Sequence, residues 1–155
     1  MLGGALIALA ALVSTAGADR AGLAFTRANT VWVAHADGSR ARRLVRGATD
    51  GRLSPDGRRL AYFRVERCDR IVLYVVGVAG GRARRIGESR GSDWSPDGSR
   101  LVTDSRTALY LVDPATGARR KLDRGDFAWT RFAPDGRSLV YGRANRKVEI
   151  GRAHV

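Results

Sequence analysis

Apolar residues in this chain come in short runs, each cut off by a cluster of Gly, Pro and Asp. Leu23-Ala24-Phe25, Val31-Trp32-Val33, Leu60-Ala61-Tyr62-Phe63 and Ile71-Val72-Leu73-Tyr74-Val75-Val76 are the first four. Leu101-Val102, Ala108-Leu109-Tyr110-Leu111-Val112 and Leu139-Val140-Tyr141 follow. Runs this short, rich in β-branched and aromatic residues and bounded by turn formers, predict strands. Beyond residue 18 no stretch shows sustained helical spacing. Because side chains alternate across a strand, Tyr62, Leu73, Val75, Leu101, Leu109, Leu111 and Leu139 are expected to lie buried between adjacent sheets.

The turns repeat as well as the strands. Ser54-Pro55-Asp56-Gly57, Ser95-Pro96-Asp97-Gly98 and Ala133-Pro134-Asp135-Gly136 place their prolines 41 and 38 residues apart. Pro presets the second turn position, Asp tolerates the third, and Gly supplies the positive φ that closes a hairpin. After each hairpin comes a second apolar run, a Gly-containing turn (Gly80-Gly81; Asp113-Pro114-Ala115-Thr116-Gly117) and a basic closing strand ending in Ile86 or Leu122. Before the first hairpin the same order appears without its opening strand: Leu23-Ala24-Phe25, Val31-Trp32-Val33, the turn Asp37-Gly38-Ser39, then Ala41-Arg42-Arg43-Leu44. A period near forty residues with four strands per unit is the signature of propeller blades.

The pattern Trp/Leu-Ser-Pro-Asp-Gly, then Leu-Ala-Tyr, then Leu-Tyr-Val, then Asp-Gly-Ser and a closing Leu, resembles the WD40-like propeller repeat of the TolB family over residues 22–148. The same repeat decorates other exported proteins and peptidase-associated propellers. The resemblance implies an all-β fold, a partial β-propeller of four-stranded antiparallel blades. It also implies that Leu53, Trp94 and Phe132, at the end of each opening strand, pack between blades. The units fall at about 22–47, 50–87, 91–123 and 128–148, or some three and a half blades. A closed ring needs about 4–8 blades, and the last unit is expected to stop after its second strand. The chain is therefore read as a truncated fragment with an incomplete ring.

Both ends carry marks of their own. Residues 1–18 contain no charged side chain, with an apolar run from Leu2 to Val13 and Ala16-Gly17-Ala18 as a small-residue cleavage site. This is the layout of a signal peptide cut near Ala18, although no Lys or Arg precedes the apolar run. The run is shorter than the roughly 20 residues that span a bilayer. The expected location is extracytoplasmic, in a periplasm or secreted, with any membrane contact peripheral. Glu149-Ile150-Gly151-Arg152-Ala153-His154-Val155 back-translates as GAG ATC GGA AGA GCA CAC GTC. From ATC onward those codons match a common sequencing-adapter oligonucleotide. Residues 149–155 are accordingly expected to be a non-native tail, the alternative being a native final strand Val148-Glu149-Ile150.

The net charge of +13 comes almost wholly from arginine, with Lys121 and Lys147 the only lysines. The Arg/Ala/Gly bias runs evenly along the chain, which reads as high-GC coding bias on solvated faces rather than a nucleic-acid footprint. Anionic envelope components or proteins are the favoured partners. Arg84-Arg85 and Arg119-Arg120-Lys121 lie on expected outermost strands, where charge blunts an exposed edge. Cys68, the single cysteine, has only His35 as a distant candidate base, so the pair does not make a nucleophilic site. Asp50, Asp93 and Asp126 sit at the innermost strands. Turn capping is their ordinary reading, and carboxylates lining a channel to hold a cation the alternative. No His, Cys, Asp or Glu spacing suggests zinc, and there is neither a phosphate loop nor a Gly-x-Ser-x-Gly elbow, so no cofactor, metal or catalytic residue is assigned.

Two function classes stand. The first is an exported, non-catalytic binding module serving protein–protein or envelope interactions. The second is an accessory propeller of a larger prolyl-oligopeptidase-like hydrolase whose catalytic domain lies elsewhere.

Overall fold

The computed structural model describes residues 22–144 and 148–151. Residues 1–18, read as a signal peptide, and residues 152–155 of the tail lie outside them. The described residues form strands joined by turns, with a single 3-10 turn at Arg67–Asp69.

Strands β1 (Gly22–Arg27), β2 (Thr30–His35) and β3 (Arg42–Arg46) make a three-stranded first blade. The second blade has four strands in sequence order: β4 (Thr49–Leu53), β5 (Arg59–Glu66), β6 (Arg70–Gly77) and β7 (Arg84–Glu88). The third repeats that order with β8 (Gly91–Trp94), β9 (Leu101–Asp104), β10 (Ala108–Val112) and β11 (Arg119–Arg124). The fourth contains β12 (Phe127–Phe132), β13 (Leu139–Arg143) and β14 (Val148–Gly151). Every pairing is antiparallel. Among the described residues no strand of the first blade pairs with one of the fourth, so the ring is open.

The last blade differs from expectation. Val148 to Gly151 pairs with β13 as a third strand, with Val140 opposite Ile150. The unit therefore runs one strand further than its turn spacing suggested.

Each hairpin between the first two strands of a blade closes on its glycine. Gly57, Gly98 and Gly136 have φ of 66, 71 and 66°. Their N–H groups donate to the carbonyls of Ser54, Ser95 and Ala133 at 2.8, 2.8 and 3.0 Å. An L-residue with a Cβ resists this left-handed conformation, which is why glycine stands there.

Three apolar cores fill the spaces between blades. Val31, Val33 and Val45 meet Leu53, Leu60, Tyr62 and Val76. Ala61, Phe63, Leu73, Val75 and Ile86 meet Trp94, Leu101 and Val112. Val102 and Leu109 meet Phe127 and Leu139, with Phe132 packed alongside. Strand β5 thus faces the first blade with Leu60 and Tyr62 and the third with Ala61 and Phe63. A sheet covered on both faces needs apolar residues at both parities, so its strands read as continuous runs rather than alternating ones. All seven residues expected between sheets, including Leu111 at 6% exposure, are buried. On the other face of the first blade, Phe25 stacks on its cross-strand partner Trp32 at 6.2 Å, and the Arg43 guanidinium lies over that indole.

Candidate binding cleft on the loop face

Antiparallel order sends the connections to two ends. The Pro-Asp-Gly turns and the β6–β7 and β10–β11 turns share one end. The β5–β6 and β9–β10 hairpins and the links between blades share the other.

At the turn end the motif residues hold the backbone and one another. Ser54 Oγ donates to Asp56 Oδ1 at 2.5 Å and accepts the Arg59 N–H at 2.9 Å, while Asp56 Oδ1 accepts the Arg58 N–H at 3.0 Å. Ser95 and Asp97 repeat this, Asp97 receiving the Ser99 N–H at 2.9 Å. In the third turn Ala133 replaces the serine, and Asp135 takes the Arg137 and Ser138 N–H groups. These bonds favour the ionised form: the Ser95 hydroxyl holds Asp97 below the usual carboxylate range, and the Arg137 and Ser138 amides do so for Asp135.

The turns also pack on each other. Pro55 Cδ lies 3.5 Å from where a Gly98 Cβ would stand, and Pro96 Cδ lies 3.5 Å from the same point at Gly136. Arg59 donates to the Gly98 carbonyl at 2.8 Å and lies 5.2 Å from the Trp94 ring, whose Nε1 donates to the Arg52 carbonyl at 3.1 Å. The motif is thus a row of pins between blades.

The three inner aspartates separate. Asp50 is an exposed residue of β4 in the left-handed region, at φ 51°. Asp93 Oδ2 accepts the Phe132 N–H at 2.9 Å and so ties the third blade to the fourth, while burial pushes its carboxyl up. Asp126 pairs with Arg90, which also reaches the Phe127 carbonyl. Asp93 and Asp126 thus join the third blade to the fourth. Among the described residues no group of three His, Cys, Asp or Glu is placed to hold a metal ion, and no helix is long and apolar enough to cross a membrane. His35 ends β2 and is exposed, and Cys68 is an exposed free thiol in the 3-10 turn.

One buried group was not singled out in the sequence. Asp104 is fully buried, and neither carboxylate oxygen has a hydrogen-bond partner. Burial raises its pKa, against the pull of Arg90. It fits because Gly91 lies opposite: a Cβ there would stand 2.6 Å from Asp104 Oδ1. Thr130 Oγ1 on the facing strand is likewise buried and unpaired.

The loop end carries a cleft of about 740 Å3 between the second and third blades. Its walls come from the outer strands and the two hairpins, because sheets set side by side round an axis splay apart outward. Five arginines and two carboxylates, Asp69 and Glu88, line it. Arg70 pairs with Glu88 at 3.5 Å, Arg85 with Glu66 at 3.0 Å, and Arg90 with Asp126. The Arg85 guanidinium and the Tyr74 hydroxyl hold Glu66 down at about 2. Arg119 stacks over Tyr110, 3.9 Å from the ring centroid, and Gly87 opposite leaves room for its guanidinium.

Above the cleft stands the longest hairpin of the described chain. β5 and β6 have eight residues each, against four and five for β9 and β10. Val65 and Ile71, its last apolar cross-strand pair before the terminal Glu66–Arg70 pair, are 64% and 43% exposed. Neither residue belongs to the set expected between sheets, and the sequence runs do not show this projection; it comes from the extra length of the hairpin.

No protein-family model matches the chain, and no curated protein matches it. Solved structures do. A TolB from Agrobacterium tumefaciens aligns with 83% of this chain and 52% of its own at 21% identity, TM-score 0.63. TolB from Acinetobacter baumannii aligns with 78% and 34% at 20% identity, TM-score 0.59. The β-propeller domain of the Trilobed protease from Pyrococcus furiosus, described as having an open velcro topology, aligns with 86% and 51% at 16% identity, TM-score 0.65. The chain spans about half the length of two of these structures and about a third of the other. At these identities the likeness speaks to architecture: the chain has the fold of tandem β-propeller blades, as in TolB, arranged as an open, partial ring.

Proposed function

We propose that this chain is an exported, non-catalytic β-propeller module that binds protein or anionic envelope partners through its loop face. The observation that carries the reading is the protruding β5–β6 hairpin, which presents Val65 and Ile71 to solvent. Apolar pairs at the tip of a rigid hairpin are costly to leave in water and are the kind of anchor that interfaces use. The turn beyond the pair, Glu66-Arg67-Cys68-Asp69-Arg70, carries both signs of charge, so the attraction for an anionic partner comes from the arginines of the adjoining cleft.

The test compares partners retained by the wild-type chain and by Val65→Asp from an extracytoplasmic fraction. Loss of a specific, identified partner in the variant supports the reading. Retention of every partner by the variant, or a Gly-x-Ser-x-Gly hydrolase domain encoded downstream together with peptidase activity, overturns it. Two companion proposals have equally direct readouts. Export through residues 1–18 requires a mature N-terminus at Asp19. A non-native tail at 149–155 requires the genomic sequence to diverge from the chain there, and a stop codon directly after Val155 removes that proposal.

A further inference from the structure

We infer that the cleft between the second and third blades is a docking site for an acidic peptide segment carrying an apolar side chain. This rests on the binding-module reading and specifies the partner's chemistry. Of the five cleft arginines, three are matched by carboxylates of this chain. Among the described residues Arg106 and Arg119 have no carboxylate partner. Arg106 stands exposed at the tip of the β9–β10 hairpin, and Arg119 is held in place by Tyr110. A guanidinium fixed on a ring face has lost little freedom still to lose, and its outward N–H groups are set for a carboxylate. The third cation within reach is Arg70, whose pair with Glu88 is more than half exposed on both sides. Such a pair contributes little and exchanges readily for an incoming carboxylate.

The apolar component is the exposed Ile71, which lines the same cleft, and Val65 is its cross-strand neighbour on the hairpin. Arginines beside an exposed aliphatic pair match a segment that alternates acidic and apolar residues. The volume lies within the range of ligand-binding pockets. A flat bilayer surface does not enter a concavity between two sheets. A nucleic acid finds no stacking platform, because Arg119 occupies the face of Tyr110.

The test is fluorescence anisotropy of a labelled short peptide alternating Glu and Leu, titrated with the full chain. A Gln–Leu peptide, inorganic phosphate as competitor and phosphatidylglycerol vesicles form the other arms. Arg106→Glu changes the rim without touching the core. Arg137→Glu makes the same change of charge at the opposite, turn end and serves as the control. The expected result is roughly tenfold weaker binding of the Glu–Leu peptide by Arg106→Glu. Arg119→Gln is expected to weaken it also, and Arg137→Glu to leave it within about twofold, since a single rim charge acts locally at physiological salt. Equal losses in Arg106→Glu and Arg137→Glu would show bulk charge alone and overturn the assignment. So would equal binding of the Gln–Leu peptide, or Arg106-dependent binding of phosphate or vesicles in place of the peptide. If Val65→Asp abolishes partner capture while the peptide ignores Arg106, this inference falls and the binding-module reading stands.

Discussion

Trp94 ties two blades together, and its replacement has a magnitude that follows from its contacts. The side chain ends β8, is 7% exposed, and packs among Ala61, Phe63, Leu73 and Leu101. Its Nε1 reaches across to the Arg52 carbonyl at 3.1 Å, and Arg59 lies over the ring. Trp94→Ala removes a large buried ring at a site that cannot collapse, because rigid sheets stand on both sides. The expected cost is about 3–5 kcal/mol, a large part of the roughly 5–15 kcal/mol available to a whole domain. Trp94→Phe keeps most of the apolar contact but leaves the Arg52 carbonyl without its donor, for about 1–2 kcal/mol. A double-mutant cycle of Trp94→Ala with Arg59→Ala, which removes the ring face altogether, is expected to show coupling of about 0.5–1 kcal/mol from the cation–π contact. Urea unfolding followed by far-UV circular dichroism measures all three, since the signal does not depend on the indole. The midpoint should fall with the slope unchanged. A loss below about 1 kcal/mol for Trp94→Ala would mean that the ring is not between blades, and the inter-blade packing described here would be wrong.

Glycine replacements separate strain from space. Gly98→Ala has room beside Pro55 but must hold φ at 71°, so it is expected to cost about 1–2 kcal/mol, and Gly98→Asn less, by the same unfolding assay. Gly51→Ala has the opposite problem: its Cβ would stand 2.5 Å from Val31 Cγ1, so it should cost about 1–3 kcal/mol by forcing the first two blades apart. For Asp104, the folded pKa is raised, so its contribution is most favourable below the unfolded carboxylate range and is lost as pH rises through the folded value. Asp104→Asn should therefore raise the unfolding midpoint at neutral pH, with the gain closing as pH falls below that range; no gain at neutral pH would contradict its burial as an unpaired carboxylate. Asp97 and Asp135 are lowered, so their contribution is present above the unfolded range and lost as pH falls below it. Asp97→Asn or Asp135→Asn should flatten the acid limb of a stability–pH profile.

The fold was readable because three cues coincided. The Pro-Asp-Gly turns demand one backbone geometry each, the apolar runs are too short for helices, and both recur near forty residues. The buried set followed from strand alternation, but alternation did not show that Ala61 and Phe63 are as buried as Leu60 and Tyr62. That comes from a sheet with a neighbour on each side. The cleft was not legible. Twenty-eight basic residues spread evenly through the chain give no pattern. Nothing local distinguishes Arg85, matched by Glu66 two strands away, from Arg106, which meets no carboxylate. Asp104 was equally hidden, since its place depends on Gly91 across the hairpin. The β5–β6 extension was present in the sequence as two longer runs, yet Val65 and Ile71 carry no local mark of exposure.

The central claim is that successive blades stand side by side with their Pro-Asp-Gly turns in register. Nuclear Overhauser contacts of the full chain test it most directly, because they join residues some forty positions apart. The account predicts cross-peaks from the Pro55 δ protons to Gly98 and from the Pro96 δ protons to Gly136, with the Trp94 indole N–H protected from exchange by Arg52. Absence of both proline–glycine contacts, with Trp94 exchanging freely, would contradict it.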